Sequence, residues 1–387
     1  MEIWIRQSMA YHPHVDGPMP YPVPGWMWDR DLGLQAYSER MPWIQRMEDL
    51  GFDGIIFTEH HYGPNGGLTP SPMILLSAAT QVTSRIKLAT MGIALSLYPN
   101  PVRVAEDLAI LDNLSRGRVV PGFISAVPQS LHAYNMKIEE EAGRYHEAYD
   151  LLIRAWTDPN PFEWHSDYYD FPLVSILPRP LQQPHPPIWT TATSDQSIQW
   201  AAKHKISFIA AGPTKQCSDI LDYYKSYAES ECGWTPTREN RGIFREIYVN
   251  GTNAEFDERF DEILNQEREN AYPWGPEARA MGAETAPFER PGLEGLTRER
   301  FRLKSYTWKK EGGRPDRGVG RGIAQVKSGH FLLGHPESLT QQIIEQQKAT
   351  NAGVLVIRPE MGNMSLKEAG DGMELFAKEV LPVVSKL

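Results

Sequence analysis

Leu50-Gly-Phe-Asp-Gly54, Ile55-Ile-Phe57 and Thr58-Glu-His-His-Tyr62 end one amphipathic segment, cross a short apolar run and break into a polar cluster. Upstream, Tyr37, Met41, Ile44, Met47 and Leu50 recur at helical spacing, and Gly51 is the stop, which predicts a helix over Ala36 to Leu50. Asp53 to Phe57 is too short and too apolar for anything but a buried strand, and Pro72 to Val82 is helical again. A strand between two helices points to parallel pairing, because parallel strands need a crossover between them.

The unit repeats outward in both directions. Further strands are predicted at Ile3 to Gln7, Arg85 to Leu95, Arg118 to Ser125, Pro187 to Thr193, Ser207 to Ala211, Phe244 to Val249 and Gly353 to Arg358. Helical stretches follow them at Pro101 to Leu114, Arg144 to Trp156, Gln196 to Lys203, Ser218 to Ser230, Phe256 to Glu267, Leu339 to Thr350 and Leu366 to Leu381. Eight strand–helix units without a clear linker favour one closed (β/α)₈ TIM barrel, an α/β fold, over two open sheets. Residues 1–387 are therefore read as a single domain with insertions at 159–187 and 271–330. The first is rich in proline and aromatics. The second lies between the seventh and eighth strands, where it could cover the C-terminal face.

The chain has 387 residues, with 39 Lys and Arg against 49 Asp and Glu, a formal charge of −10 that argues against a general nucleic-acid binder. The one basic stretch, Gly312 to Gly322, reads as a solvated loop. Two cysteines, Cys217 and Cys232, form no CxxC pair and cannot complete a thiolate zinc site, so they are read as reduced thiols. No apolar run approaches the ~18 residues of a membrane span, and Glu2 to Ile5 already looks like a strand rather than a leader. A cytoplasmic location without membrane attachment is expected.

Catalytic groups of a barrel sit where strands end, and Thr58 to Tyr62 follows the second strand directly. Successive residues of an extended chain face opposite ways, so His60 and His61 are not expected to share a ligand site. His12, His14 and His132 show no metal-ligand spacing, and no metal is expected. Two readings remain for the histidines: caps of a strand end, or an imidazole handling a proton near neutral pH. Thr190 to Ser197 joins a strand end to a helix start. Its hydroxyls suit helix capping, and the same geometry suits an anion. No GxGxxG follows a strand, and Gly318 to Gly322 is only a partial match, so a dinucleotide fold is disfavoured.

Leu50 to Gly54 with Glu59 to His61, Asn100 to Arg103 with Ala105 to Asp107, Ser115 to Arg118, Gln183 to Pro187, Trp200 to Ala202, and Met373 to Ala377 with Val380 to Pro382 follow one another in an order that resembles the bacterial luciferase-like flavin monooxygenases. The likeness spans roughly 1–270 and 330–387. It implies a barrel, usually dimeric, that binds FMN at the strand C-termini. It also implies a two-component enzyme: a separate flavin reductase supplies reduced FMN, which with O2 gives a C4a-peroxyflavin that oxygenates a small organic substrate.

Carried over residue by residue, the resemblance makes His60 and Glu59 the catalytic candidates, with His60 handling the proton. Met91, Gly92 and Ile93 match the segment under the flavin ring, where the family tends to have a strained peptide. Arg144, Ser194 and Ser197 match phosphate positions. Ser125 stands where the family often has a phosphate-binding arginine, and Thr193 where the luciferases often have an acid. Loop aromatics, Trp26, Trp28, Trp164, Tyr168, Tyr169 and Trp274, suggest an apolar or carbonyl-bearing substrate. A deazaflavin- or flavin-dependent dehydrogenase on the same barrel and a non-catalytic flavin-binding subunit are the competing readings.

Overall fold

The computed structural model describes residues 1–9, 11, 23, 25–63, 67–126, 128–251, 259–260, 262–263, 328–362 and 364–387. The sequence-predicted helix at 256–267, the basic stretch at 312–322, Trp274, His12, His14 and the insertion at 271–330 lie wholly or mostly outside these.

The strands are β1 (Glu2–Gln7), β2 (Gly54–Phe57), β3 (Lys87–Thr90), β4 (Val119–Val120), β5 (Gly122–Phe123), β6 (Phe162–His165), β7 (Asp170–Val174), β8 (Trp189–Thr190), β9 (Ser207–Ala211), β10 (Arg241–Val249), β11 (Phe331–Gly334) and β12 (Val354–Arg358). Hydrogen bonding runs β4-β3-β2-β1-β12-β10-β9-β8-β5, every pair parallel. The two ends of this path, β4 and β5, are separated only by Pro121, which has no N–H for a ladder. The path thus returns to its start, and its nine segments make eight staves, as the alternation of the sequence implies. β11 adds to β10 beyond that ring.

Helices α1 (Arg30–Asp49), α2 (Pro72–Ala79), α3 (Pro101–Ser115), α4 (Pro128–Ala133), α5 (Glu141–Thr157), α6 (Asp195–Lys203), α7 (Thr214–Glu231), α8 (Pro336–Thr350), α9 (Leu366–Glu379) and α10 (Leu381–Val384) accompany the staves. None is long and apolar enough to cross a membrane. α1 starts six residues before the periodic run, because Asp29 caps it, its carboxylate accepting from the N–H groups of Asp31 and Leu32 at 2.9 and 3.0 Å. The proline-rich insertion is not wholly irregular. Its β6 and β7 form an antiparallel hairpin along α5, with the Arg154 guanidinium 3.9 Å from the Phe162 ring centre. Pro172 is tolerated there because each strand of a two-stranded ribbon is an edge.

Side-chain parity separates two cores. Trp4, Ile56, Ala89, Val120, Trp189, Ile209, Val354 and Val356 form a cluster inside the barrel, with Met91 and Phe244 against it. Ile3, Ile5, Ile55, Phe57, Leu88, Phe123 and Ile243 face the helices in the larger cluster. Parity therefore tells which residues at each strand end look into the barrel mouth.

Candidate active site

On β2, Ile56 points inward and Ile55 and Phe57 outward. Continued past the strand, this alternation turns Thr58 and His60 into the mouth and Glu59 and His61 toward the helices. The contacts agree. Glu59 is buried, and its carboxylate lies 3.0 Å from His61 Nε2, accepts from the Tyr98 hydroxyl at 3.0 Å and from the Ala94 N–H at 3.4 Å. His61 Nδ1 lies 3.2 Å from the Tyr134 hydroxyl. The two sequence-predicted catalytic residues thus face different sides. Glu59 locks the end of β2 to the turn after β3, and its partner is His61, not His60.

Around His60 the mouth carries charge. Arg6, two residues beyond inward-facing Trp4, lies over the Phe244 ring at 5.7 Å, with Nη2 3.5 Å from Thr58 Oγ1. Arg358, two residues beyond inward-facing Val356, forms an ion pair with Glu246 on the adjoining strand. Removal from water, then the positive charges of Arg6, His61 and Arg358, push the His60 pKa down to about 3. The imidazole is therefore neutral throughout the physiological range. This corrects the expectation of a base poised near neutrality: burial first, then the charges of Arg6, His61 and Arg358, hold the proton off.

A stability effect follows. The unfolded chain takes up His60's proton near pH 6.5 and the folded chain only near pH 3, so the folded state gains stability as pH rises across that window and loses it as pH falls. Thermal midpoints at pH 4 and pH 7 should converge in His60→Gln, the acid-side loss shrinking by an amount on the order of a few kcal/mol. Equal acid sensitivity in both proteins would remove His60 as its source.

β3 ends one residue before Met91-Gly92, a cis peptide. Met91 N–H donates to Phe57 O (2.9 Å), Gly92 O accepts from Glu59 N–H (3.4 Å), and Ile93 N–H donates to Gly122 O (2.8 Å), so this segment stitches the ends of β2 and β5 together. A Cβ on Gly92 would stand 2.8 Å from Ile124 Cγ2 and 2.9 Å from Gly122 O. Only glycine fits this approach.

The sequence-predicted phosphate residues gather at the top of α5 and α6. The two helices pack through Tyr145 and His146 against Trp200, with ring centres 5.3 and 4.8 Å apart, which brings Arg144 to the same end as Ser194 and Ser197. Ser194 Oγ caps α6, accepting from Ser197 N–H at 3.3 Å and donating to Ser197 Oγ at 2.8 Å. Arg144 pairs with Glu140 at 3.0 Å and lies 5.1 Å from the Tyr168 ring centre. Ser125 and Thr193 are exposed loop residues. Next to Ser125, the Ala126 N–H donates to buried Glu141 at 3.0 Å, so a carboxylate stands close to where the resemblance expects a cation.

Sequence reasoning missed Arg6, Glu246 and Arg358. For Arg6 and Arg358 the signal was a charge at the inward position near the C-terminal end of an apolar parallel strand; Glu246 sits beside Arg245 on β10 and had no such signal. The aromatics carry less than expected. Trp28 stacks on Tyr11 (5.3 Å) and covers Gly33, Trp164 and Tyr169 belong to the hairpin, and Trp26 is 83% exposed. These contacts are packing rather than a substrate wall. Among the described residues no group of three or more His, Cys, Asp and Glu could hold a metal ion.

A family profile described as luciferase-like monooxygenase matches residues 23–350. The alkanal monooxygenase beta chain of Photorhabdus laumondii subsp. laumondii is 30% identical over 186 residues, 47% of this chain and 54% of that one. The chain thus spans about half the length of the curated relatives it matches. Among solved structures, the oxygenating constituent of 3,6-diketocamphane monooxygenase of Pseudomonas putida, a type II Baeyer–Villiger monooxygenase in complex with FMN, superposes with a TM-score of 0.68 at 19% identity over 99% of this chain and 98% of that one. An F420-dependent secondary alcohol dehydrogenase also superposes with a TM-score of 0.68, at 13% identity, over 99% and 98%. At such identities these two likenesses concern the fold.

Proposed function

Because this chain belongs to the luciferase-like monooxygenase family, we propose that it is the oxygenase component of a two-component flavin monooxygenase, using reduced FMN from a separate reductase and O2 on a small organic molecule. The observation that carries the reading is the barrel mouth itself, where the end of β2, which carries His60, is bonded through the Glu59 N–H to Gly92 O in the segment after β3.

The residues present suit FMN. Gly92 gives a seat without a side chain, and Arg6, Arg358 and His60 bring positive charge and N–H groups to a ring that is anionic when reduced. Arg144, Ser194, Ser197 and the N-terminal amides of α6 suit the phosphate. When bound, the reduced flavin would supply the activation of O2. His60 would hold or give a proton at the ring, as a hydrogen-bonding neutral imidazole whose basicity rises once the anion offsets the two guanidiniums. Glu59 would act through position, fixing the end of β2 against Tyr98 and Ala94 so that His60 keeps its aim.

The description of one superposed structure as an oxygenating constituent supports a separate component, which the reading takes to be the reductase. Apolar side chains left in solvent on the packed helices α2 and α3, Ile74 (70% exposed), Ile110 and Leu114, support a homodimer. Free Cys217 and Cys232 accord with a reducing cytoplasm.

Oxygen uptake by the full chain with pre-reduced FMN, against reduction of a deazaflavin by an alcohol, tests the reading. Deazaflavin reduction without oxygen uptake would replace it with the dehydrogenase. Binding of reduced FMN with no effect on its reaction with O2 would leave only a flavin carrier. Within the same reading, Ser125→Arg restores the cation and is expected to tighten FMN about tenfold or more, the worth of one charge-assisted contact. A fluorescence titration checks this, and unchanged affinity would put the phosphate away from the β5 loop.

A further inference from the structure

Tyr62, two residues beyond His60, is 44% exposed, and Tyr134, which follows α4 directly, is 39% exposed. Large aromatic rings gain most by burial, so a pair held open at a barrel mouth calls for a reason. Neither ring is loose. The Tyr134 hydroxyl lies 3.2 Å from His61 Nδ1 and is hydrogen-bonded to Tyr62, and His61 in turn reaches Glu59. Ring centres stand 5.7 Å apart for His61 and Tyr62, 5.1 Å for His61 and Tyr134, and 6.4 Å for Tyr62 and Tyr134. Leu131, fully buried, packs in one cluster with Ala94 and Leu97, which ties α4 to the turn after β3. Tyr62 itself sits at φ 62°, in the left-handed region that favours glycine. Strain of this kind gathers where a side chain has to be presented.

We infer that Tyr62 and Tyr134 form an aromatic rim that selects the substrate, and that the small molecule the enzyme oxygenates carries a planar aromatic ring seated on them. The inference rests on the monooxygenase reading for its reaction, but not for its binding. The planes of the two tyrosines stand 54° apart, so a flat ring lying on the face of one turns its edge toward the other. Offset stacking and edge-to-face contact are the two arrangements that ring quadrupoles favour. A saturated ring of the same size has neither a flat face nor a quadrupole and loses that part of the contact. The rim shares the end of β2 with His60, so a molecule held there by its ring has its other end beside the mouth. Tyr62 and Tyr134 thus decide which molecule is taken, and His60 acts on the one that is.

Benzyl alcohol and cyclohexylmethanol differ in little but the aromaticity of the ring. Each is titrated into the full chain while the ring resonances of Tyr62 and Tyr134 are followed by NMR, and affinities are read from the titration curves. Benzyl alcohol is expected to bind about tenfold tighter, the worth of two aromatic contacts. Tyr62→Leu and Tyr134→Leu keep apolar bulk without a ring face, and each should remove part of that preference. Tyr134→Phe keeps the ring without its hydroxyl and should retain it. Tyr62→Gly separates recognition from folding: glycine relieves the left-handed turn, so the thermal midpoint should be no lower than that of the wild type while benzyl alcohol binding falls.

Equal affinity for the two alcohols would overturn the proposal, as would a preference unchanged in both leucine variants. A lower midpoint with wild-type binding in Tyr62→Gly would also overturn it, leaving Tyr62 a structural residue. So would tetramethylammonium binding in place of benzyl alcohol, since the rings would then be a cage for a cation. Displacement of benzyl alcohol by reduced FMN would give the rim to the flavin and overturn it as well. Oxygen uptake with reduced FMN is measured separately. A protein that binds benzyl alcohol through Tyr62 but takes up no oxygen would keep the aromatic rim and lose the monooxygenase reading.

Discussion

His60→Gln is expected to lower product formation by about 10²- to 10⁴-fold, the usual worth of a positioned proton-transfer group, and to leave the fold standing. Glutamine keeps a neutral donor and acceptor of similar reach at a partly exposed position. It should therefore not disturb Ile56 and Thr58 below it, nor the Glu59–His61 contact on the other side of the strand. What it cannot do is accept a proton. Oxygen would still be consumed by reduced flavin, but it should appear as hydrogen peroxide rather than in product. The measurement is product formed per O2 consumed, with reduced FMN binding followed in parallel. Wild-type yield and rate in His60→Gln would remove the imidazole from the chemistry. A parallel loss of flavin affinity would make it a binding residue instead. His61→Gln offers the contrast: its partners are Glu59 and Tyr134, so a change there should move the strand end and affect stability and turnover together.

The alternation of apolar runs with amphipathic helices was enough to read the barrel, because each stave has to be buried on both faces and each crossover has to return along the outside. Where the sequence-predicted boundaries slipped, a local contact overrode the pattern. Arg85 to Leu95 looks like one long strand, but the ladder with β2 stops at Thr90, where Met91-Gly92 turns to meet Gly122 and Ile124, and only an isolated bridge from Ile93 to Phe123 follows. Pro187 to Thr193 shortens to Trp189–Thr190, since the hydroxyl-rich end leaves the sheet to cap α6. The hairpin at β6 and β7 was hidden because Pro172 reads as a strand breaker.

The site was legible one residue at a time but not as a surface. Period-two reasoning separates His60 from His61. The same alternation puts Glu59 and His61 on one face, but it could not supply their other partners, since Tyr98 and Tyr134 lie 39 and 73 residues away. Arg6, Glu246 and Arg358 stayed unread for a related reason. Arg6 and Arg358 are lone charges at the end of an apolar run, Glu246 follows Arg245 inside β10, and only the barrel brings all three together. Closure also explains the His60 pKa, since its lowering comes from burial and from strands at the two ends of the chain.

Closure depends on Gly122, and Gly122→Ala should be the most damaging single methyl in the barrel. The added Cβ would lie 2.1 Å from the backbone oxygen of Thr90 and 3.0 Å from both Cε and Sδ of Met91. The methionine can swing away; the Thr90 carbonyl cannot. The Gly122 backbone is held on both sides, its N–H donating to Thr90 Oγ1 at 2.8 Å and its O receiving the Ile93 N–H at 2.8 Å. Strands β3 and β5 would have to part, opening the seam of contact between the segment after β3 and β5. The cost should exceed the ~1–3 kcal/mol of ordinary overpacking, which a domain of marginal stability survives poorly. Urea midpoints and soluble yield measure it, with Gly25→Ala as the control, because nothing lies within 4 Å of the Cβ there. A wild-type midpoint in Gly122→Ala would mean that the seam is looser than its geometry. If some folded protein is recovered, it has opened at Met91-Gly92-Ile93, so its affinity for reduced FMN should fall even where its helices and outer core remain intact.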